Sequence, residues 1–309
     1  MKLEDVSCPI CVSSQSDRLM ECPALRLTST DLRFTLRRCR QCGLVFTSPR
    51  PDAAEMDLLY GNQYFPSKSS PWAAFINRAA VHERTTFIRK HVPRGSILDI
   101  GCGLGGFLMD LPADKFDGYG LEPYHGLFAS VPERIRSRIK FESFDRASFP
   151  ESSFDLVTLW HVLEHMPEPV ACLKKTYSLV KPGGCLILEV PNLASVEARW
   201  LAHNWYHLDV PYHFWHFTPQ TFRTIIAKAG FEIQSLQTIT ITRPILLLNY
   251  LFLGANSIQR WARERIPILK RRDWLDRGFR FLGLPMCVLE RFGLFFSTPT
   301  MRVVAVKKP

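Results

Sequence analysis

The chain reads as an α/β protein with a doubly wound, mostly parallel sheet of seven strands, and three observations predict it. Short leucine- and valine-rich runs alternate with helix-length stretches from residue 96 onward, the rhythm of strand–helix–strand units. The first run, Ser96 to Ile100, breaks into Gly101-Cys102-Gly103-Leu104-Gly105-Gly106 and opens a helix at Phe107. Glycines at such a junction let the backbone turn sharply and approach a ligand, and ligands of these sheets sit at the carboxyl ends of the strands. Finally, 309 residues with 46% hydrophobic and 22% charged content suffice for one full α/β domain with appendages.

The elements follow in order. Residues 61–92 read as a linker and then a helix, with Ala73, Phe75, Ile76, Ala79, Ala80, Phe87 and Ile88 on its apolar face. Pro93-Arg94-Gly95 punctuates the chain before the first strand. Gly118–Leu121, Ile139–Phe141 and Phe154–Trp160 are the next three strands. A helix from Val170 to Leu179 runs into Lys181-Pro182-Gly183-Gly184, read as a sharp stop, and strand Cys185–Val190 follows. A helix from Pro219 to Ala229 precedes the sixth strand, Phe231–Thr240, and Met301–Lys307 alternates as the seventh. These divide the chain into 1–60, a core over 61–242, an insertion over 243–299 and a closing strand within 300–309.

Ahead of the core, Cys8-Pro9-Ile10-Cys11 and Cys39-Arg40-Gln41-Cys42 form two C-x2-C pairs separated by 27 residues. Two such knuckles aim four thiolates at one tetrahedral ion, so Cys8, Cys11, Cys39 and Cys42 are read as ligands of a structural Zn2+ in a zinc ribbon. The alternation from Arg33 to Arg38 supplies a strand of its small sheet. So few residues bury little core, and the metal is expected to contribute on the order of 10 kcal/mol to folding.

Asp99, ending the first strand, and Glu122, ending the second, suit a nucleoside with a ribose and a cationic, amine-bearing tail, which points to S-adenosylmethionine. The segments Leu98-Asp99-Ile100-Gly101-Cys102-Gly103-Leu104-Gly105, Leu121-Glu122-Pro123, Phe149–Val157, Val162-Leu163-Glu164-His165-Met166-Pro167 and Leu179–Gly184 resemble the class I S-adenosylmethionine-dependent methyltransferases. The cysteine module is similar to the zinc ribbon of one branch, whose members accompany polysaccharide, sugar and small-metabolite methylation. The resemblance implies a Rossmann-like methyltransferase sheet. It implies that Gly101, Cys102 and Gly103 line the methionine and ribose portions of the cofactor. Asp99 would orient the amine and Glu122 would take both ribose hydroxyls. Ser143 and Phe144 would stand near adenine, Trp160 and His161 would flank the methyl-donor end, and Tyr64 would reach the methionine carboxylate. A nicotinamide site formally fits Gly101-x-Gly103-x-x-Gly106, but a lone match of that kind is weak.

Methyl transfer to a hydroxyl needs alignment and a route for the proton. Nine histidines are present, six of them His161, His165 and the cluster His203, His207, His213 and His216. Tryptophan, tyrosine and phenylalanine interleave with that cluster, which reads as an acceptor lid with His213 or His165 as the base. The competing expectation is that these imidazoles hydrogen-bond buried backbone.

The net charge of +10 is localised: 8 basic and 8 acidic residues lie in 1–60, 18 and 17 in 61–242, and 13 and 4 in 243–309. Arginines beside the apolar runs Ile245–Leu253 and Phe279–Phe296 suit either a peripheral contact with an anionic membrane or a helical cap on the sheet. Neither run has the roughly 20 apolar residues of a span. The first ten residues carry charge and no apolar run, so a reducing cytoplasmic setting, peripheral at most to the inner membrane face, is expected. The expected partner is a small or lipid-linked acceptor, methylated at a hydroxyl or carbon. The neutral ribbon argues against nucleic acid, and an RNA or protein methyltransferase using the ribbon and basic segment is the alternative. The sequence sets no oligomeric state.

Overall fold

The computed structural model describes residues 1–24, 26–27, 32–60, 71–239 and 299–309. Tyr64 and residues 243–298 of the expected insertion therefore lie outside the described residues.

The N-terminal part contains β1 (Leu3–Glu4), β2 (Ser16–Pro23), β3 (Arg33–Cys39), β4 (Val45–Thr47) and β5 (Arg50–Pro51), followed by α1 (Ala53–Leu59). The Asp52 carboxylate caps α1 by accepting the Glu55 N–H. The core then runs α2 (Pro71–His91), β6 (Gly95–Ile100), α3 (Gly106–Asp110), β7 (Phe116–Leu121), α4 (Glu133–Arg136), β8 (Ile139–Lys140), β9 (Phe154–Trp160), α5 (Pro169–Leu179) and β10 (Val180–Pro191). It closes with α6 (Val196–Leu201), β11 (Trp215–His216), α7 (Pro219–Lys228), β12 (Glu232–Ile239) and β13 (Thr300–Val306).

The main sheet has seven strands in the order β12-β13-β10-β9-β6-β7-β8. Strands β6 to β10 pair in parallel, and β13 pairs antiparallel with both β10 and β12. The chain leaves β6 toward β7 and β8, then returns to build β9 and β10 on the other side. That reversal opens a crevice at the carboxyl ends of β6 and β9. Leu156, Val157, Leu159, Leu186, Ile187 and Leu188 are fully buried, which explains continuous apolar runs where a one-sided sheet would alternate. One expectation needs correction. Lys181–Gly184 does not precede the fifth strand but lies inside β10, where the register with β9 shifts between Val180 and Cys185. Gly183 takes up the irregularity at φ +75°.

The ribbon does not stand apart from the core. Strand β11 adds to β4 as the fourth member of the β2–β3–β4 sheet, with Trp215 opposite Phe46 and His216 opposite Val45. The Thr47 hydroxyl donates to the His213 carbonyl at 2.9 Å, and the Thr47 N–H to the Phe214 carbonyl at 2.9 Å. One apolar cluster joins Leu36, Leu44 and Phe46 of the ribbon to Trp205, Tyr212 and Phe217 of the aromatic loop and to Leu186 of the sheet.

Two charges interrupt the buried strands. Glu189 of β10 and Arg302 of β13 stand opposite each other, 0% and 2% exposed. Arg302 Nε donates to Glu189 Oε1 at 2.7 Å, and Arg84 of α2 donates to Oε2 from Nε at 3.0 Å and Nη2 at 2.5 Å. Glu83 takes the other side of Arg302 at 2.9 and 2.6 Å. Burial alone would raise the Glu189 carboxyl, but Arg84 and Arg302 outweigh it and hold it at about 2. Glu189→Gln removes the charge that answers Arg84 and one of the two carboxylates on Arg302, and should destabilise the protein by about 3–5 kcal/mol at pH 7 in urea unfolding. Because the folded pKa lies below the ordinary 4.5, this stabilisation is complete above that value and fades as pH falls toward about 2. The gap between wild type and Glu189→Gln should narrow accordingly in acid.

Candidate functional site

The crevice begins where β6 ends. Gly101, Gly103 and Gly105 all take left-handed angles, with φ +71°, +55° and +73°. A Cβ at Gly101 would stand 2.5 Å from Val162 Cγ2, so glycine is required there by contact as well as by angle. At Gly103 a Cβ would meet nothing within 4 Å: its backbone faces open space, as a ligand cradle requires. The Gly103 N–H donates to Glu122 Oε2 at 3.0 Å and the Tyr124 N–H to Oε1 at 3.0 Å. Each carboxylate oxygen accepts more than one hydrogen bond, so both keep capacity for a vicinal diol. Burial raises the Glu122 carboxyl, against which these two amides work.

Asp99 is buried beside this turn and accepts the Thr158 hydroxyl at 2.7 Å. Burial pushes its carboxyl up to about 7; a nearby ammonium would supply the compensating charge. Cys102 packs its sulfur where a Cβ on Gly120 would come within 2.6 Å. Burial raises that thiol, so it is a neutral wall rather than a nucleophile. Trp160 meets Phe107 edge-on at 5.4 Å and Arg84 lies 4.8 Å over its ring. Its buried Nε1 has no hydrogen-bond partner among the described residues. Phe144 is buried in the core, with the Lys175 ammonium 4.9 Å from its ring and bonded to its carbonyl at 2.5 Å. The Ser143 carbonyl accepts the Arg146 and Ala147 amides at 3.1 and 2.9 Å. The structure thus gathers Asp99, Gly101, Cys102, Gly103, Glu122, Trp160 and His161 around the ends of β6, β7 and β9. A diol acceptor, an uncompensated buried carboxylate and an orphaned donor suit a nucleoside carrying an amino acid tail.

Past β9 the histidines form a second wall. His161 sits at φ +58°, donates its N–H to the Glu189 carbonyl at 3.0 Å and places Nδ1 3.2 Å from Glu164 Oε1. His207 stacks parallel to it with centroids 6.4 Å apart. His165 and His213 meet edge to face at 4.5 Å. His165 Nδ1 lies 2.9 Å from the Tyr60 hydroxyl and 3.1 Å from the Tyr212 carbonyl, and His213 Nδ1 lies 2.9 Å from the His207 carbonyl. Burial lowers His165 to about 4 and His207 and His216 to about 3, and takes His213 well below its ordinary value. These imidazoles are neutral at pH 7. Asp209 behind them accepts Arg26 Nε at 2.7 Å, yet burial still raises its carboxyl to about 6.

The four ribbon thiols converge within 4.8 Å of one another, with Cys8 and Cys42 sulfurs 3.5 Å apart. Zn–S bonds of about 2.3 Å place tetrahedral sulfurs roughly 3.8 Å apart, so the set fits that ion. The knuckles match: Val12 N–H closes on the Cys8 carbonyl and Gly43 N–H on the Cys39 carbonyl, both at positive φ, +57° and +76°. Burial and the neighbouring sulfurs push Cys11 up to about 11, so holding several thiolates here calls for a cation.

Sequence reasoning missed Arg26, Tyr60, Arg84, Glu164, Glu189, Asp209, Tyr212 and Arg302. Glu189 and Arg302 left a signal, each being a charge inside an apolar strand. Arg26 and Asp209 left none, because their pairing spans 183 residues.

Residues 72–236, just over half of the chain, match the family described as methyltransferase domain. A ubiquinone biosynthesis O-methyltransferase of Xanthomonas campestris is 34% identical over 131 residues, covering 37% of this chain and 53% of that protein. An uncharacterized methyltransferase of Schizosaccharomyces pombe is 31% identical over 126 residues, covering 36% and 45%. The chain thus spans about half the length of these curated relatives. The crystal structure of the 4+2 cyclase SpnF superposes with a TM-score of 0.50 at 16% identity, over 84% of this chain and 97% of that one, a likeness of fold alone. With the sheet order, the glycine turn and its two carboxylates in place, the chain belongs to the methyltransferase-domain family and has the class I S-adenosylmethionine-dependent architecture that its motifs resemble.

Proposed function

We propose that this protein transfers a methyl group from S-adenosylmethionine to a hydroxyl or carbon of a small acceptor, a sugar, lipid-linked sugar or related small metabolite. The observation that carries this reading is the pair of buried carboxylates around an open glycine cradle: Glu122 tied to the Gly103 amide, and Asp99 bonded to Thr158. The relative named as an O-methyltransferase supports a hydroxyl acceptor. When bound, the cofactor supplies an electrophilic methyl group. Glu122 accepts the ribose hydroxyls, Asp99 receives the amine, and Trp160 offers its unused N–H. His161, fixed by Glu164 and the Glu189 carbonyl, lines the acceptor side, and the aromatic loop excludes water. Burial lowers the His165 imidazole to about 4, which weakens it as a base, and alignment of the acceptor with the methyl group contributes to the acceleration whichever group takes the proton. The ribbon cysteines would hold a structural Zn2+, the reading their separations and knuckle geometry support.

Two outcomes test this. Calorimetric affinity for S-adenosylhomocysteine should fall roughly 100-fold in Glu122→Ala, the loss of two charge-assisted hydrogen bonds. Glu122→Gln, which keeps the side chain's size, should fall nearly as far; unchanged binding by both proteins removes the ribose assignment. Cys39→Ser should lose the ribbon zinc, one equivalent per chain fewer than wild type by elemental analysis. Because β11 pairs with β4, proteolysis within 203–217 should accelerate in the same variant.

A further inference from the structure

Glu164, His165 and His213 each bring one ligand atom within 4.8 Å of the other two. The four-residue zinc set is in the ribbon, so this second group stands outside it, between the glycine crevice and the aromatic loop. The sequence hid it, because Glu164 and His165 are adjacent and His213 follows 48 residues later. Three observations give the cluster the character of a coordination site. Glu164 is fully buried; its Oε1 is engaged by His161 Nδ1, while Oε2 has no hydrogen-bond partner among the described residues. A buried carboxylate oxygen without a donor is costly unless a cation meets it. Both histidines also turn Nδ1 toward a backbone carbonyl, that of Tyr212 for His165 and that of His207 for His213. A carbonyl only accepts, so Nδ1 of His213 carries the proton and its Nε2 carries the lone pair; Nδ1 of His165 also lies 2.9 Å from the Tyr60 hydroxyl, which either donates or accepts. This is the outer arrangement by which proteins orient metal-binding imidazoles.

We propose that Glu164, His165 and His213 form a second metal site, for a divalent first-row transition ion. Two imidazole nitrogens and one carboxylate oxygen are the donor set such ions take, in preference to magnesium or calcium. Ligands about 2.1 Å from one ion lie roughly 3–4 Å apart, so closing the cluster needs side-chain shifts of about an ångström. Three protein ligands leave coordination positions open, and an oxygen of the acceptor is the ligand they would take. Asp209 Oδ2 lies 3.9 Å from His213 Nε2 as a further anionic neighbour of the cluster.

The test needs no methyl donor, so its result is independent of the cofactor assignment. Full-length protein brought to one equivalent of zinc per chain by chelator treatment, because a site of this kind would take free Zn2+ ahead of Co2+, is titrated with Co2+ and followed by calorimetry and visible absorption. The expected result is uptake of one further equivalent, with weak bands of nitrogen–oxygen coordination and no thiolate charge-transfer band. Glu164→Gln and His213→Asn should each weaken uptake by at least about tenfold, while His82→Ala, at an exposed histidine beside Asp110, should leave it unchanged. Wild-type protein alone also decides the matter: bound Co2+ should shift an exchangeable imidazole N–H proton resonance far outside the ordinary range, that of the His213 Nδ1 bonded to the His207 carbonyl. No uptake beyond zinc, uptake with a thiolate spectrum only, or equal uptake by folded Glu164→Gln and His213→Asn overturns the site.

Discussion

A carboxylate taken out of water must be matched by charge within hydrogen-bond reach, and in this protein the matching of Glu189 organises the crevice edge. Arg84 comes from the long helix preceding the sheet and Arg302 from the last strand, so one side chain couples the two extremes of the core. The helix is held over Trp160 by the same Arg84 guanidinium, which lies 4.8 Å above that ring. The backbone of Glu189 meanwhile fixes His161 at its strained angle. Strain of that kind costs about 1–3 kcal/mol and persists only where the surroundings over-determine it. The positions of Trp160 and His161, at the point where the methyl donor would end, are consequences of an electrostatic demand on the adjoining strand, where Glu189 stands opposite Trp160.

The second organising feature is the double membership of the aromatic loop. Residues 202–217 make little regular structure of their own, only short turns and the two-residue β11. Their order comes from pairing with β4, from Thr47, and from the Arg26 contacts to Asp209 and to the Tyr206 hydroxyl at 3.1 Å. The cysteine module thereby becomes a jig for the aromatic loop. The logic explains why a small module accompanies this core: its β4 strand and apolar side chains pack against the loop and the sheet.

Much of this was legible in the chain. Strand Phe154–Trp160 falls where its apolar run predicts, and the glycine turn follows Asp99 as expected. Such elements are set by local chemistry: burial on both faces, glycine at left-handed angles, and paired cysteines on knuckles. The Lys181–Gly184 stretch misled because proline and glycine look like a terminus, while here they form an irregularity that the neighbouring strand tolerates. The Glu164–His165–His213 cluster and the Arg26–Asp209 pair were invisible for a different reason. They depend on β11 joining the ribbon sheet, a long-range register that no window of sequence contains.

The histidines show how burial redirects a residue's chemistry. An exposed imidazole near its reference pKa of about 6.5 serves as a base around neutrality. Taken out of water beside Tyr60 and His213, the same group loses basicity because its charged form loses hydration; His165 reaches about 4. It still keeps a directed lone pair on one nitrogen. A wall of such groups repels an ammonium less than protonated imidazoles would, which matters beside a cofactor carrying both a sulfonium and an amine. It also leaves the carboxylates, Glu164 and Asp209, as the places where positive charge is wanted. Arg26 answers Asp209. The Glu164 Oε2 atom, with no donor among the described residues, is where the electrostatics of the acceptor wall remain to be completed by something that binds.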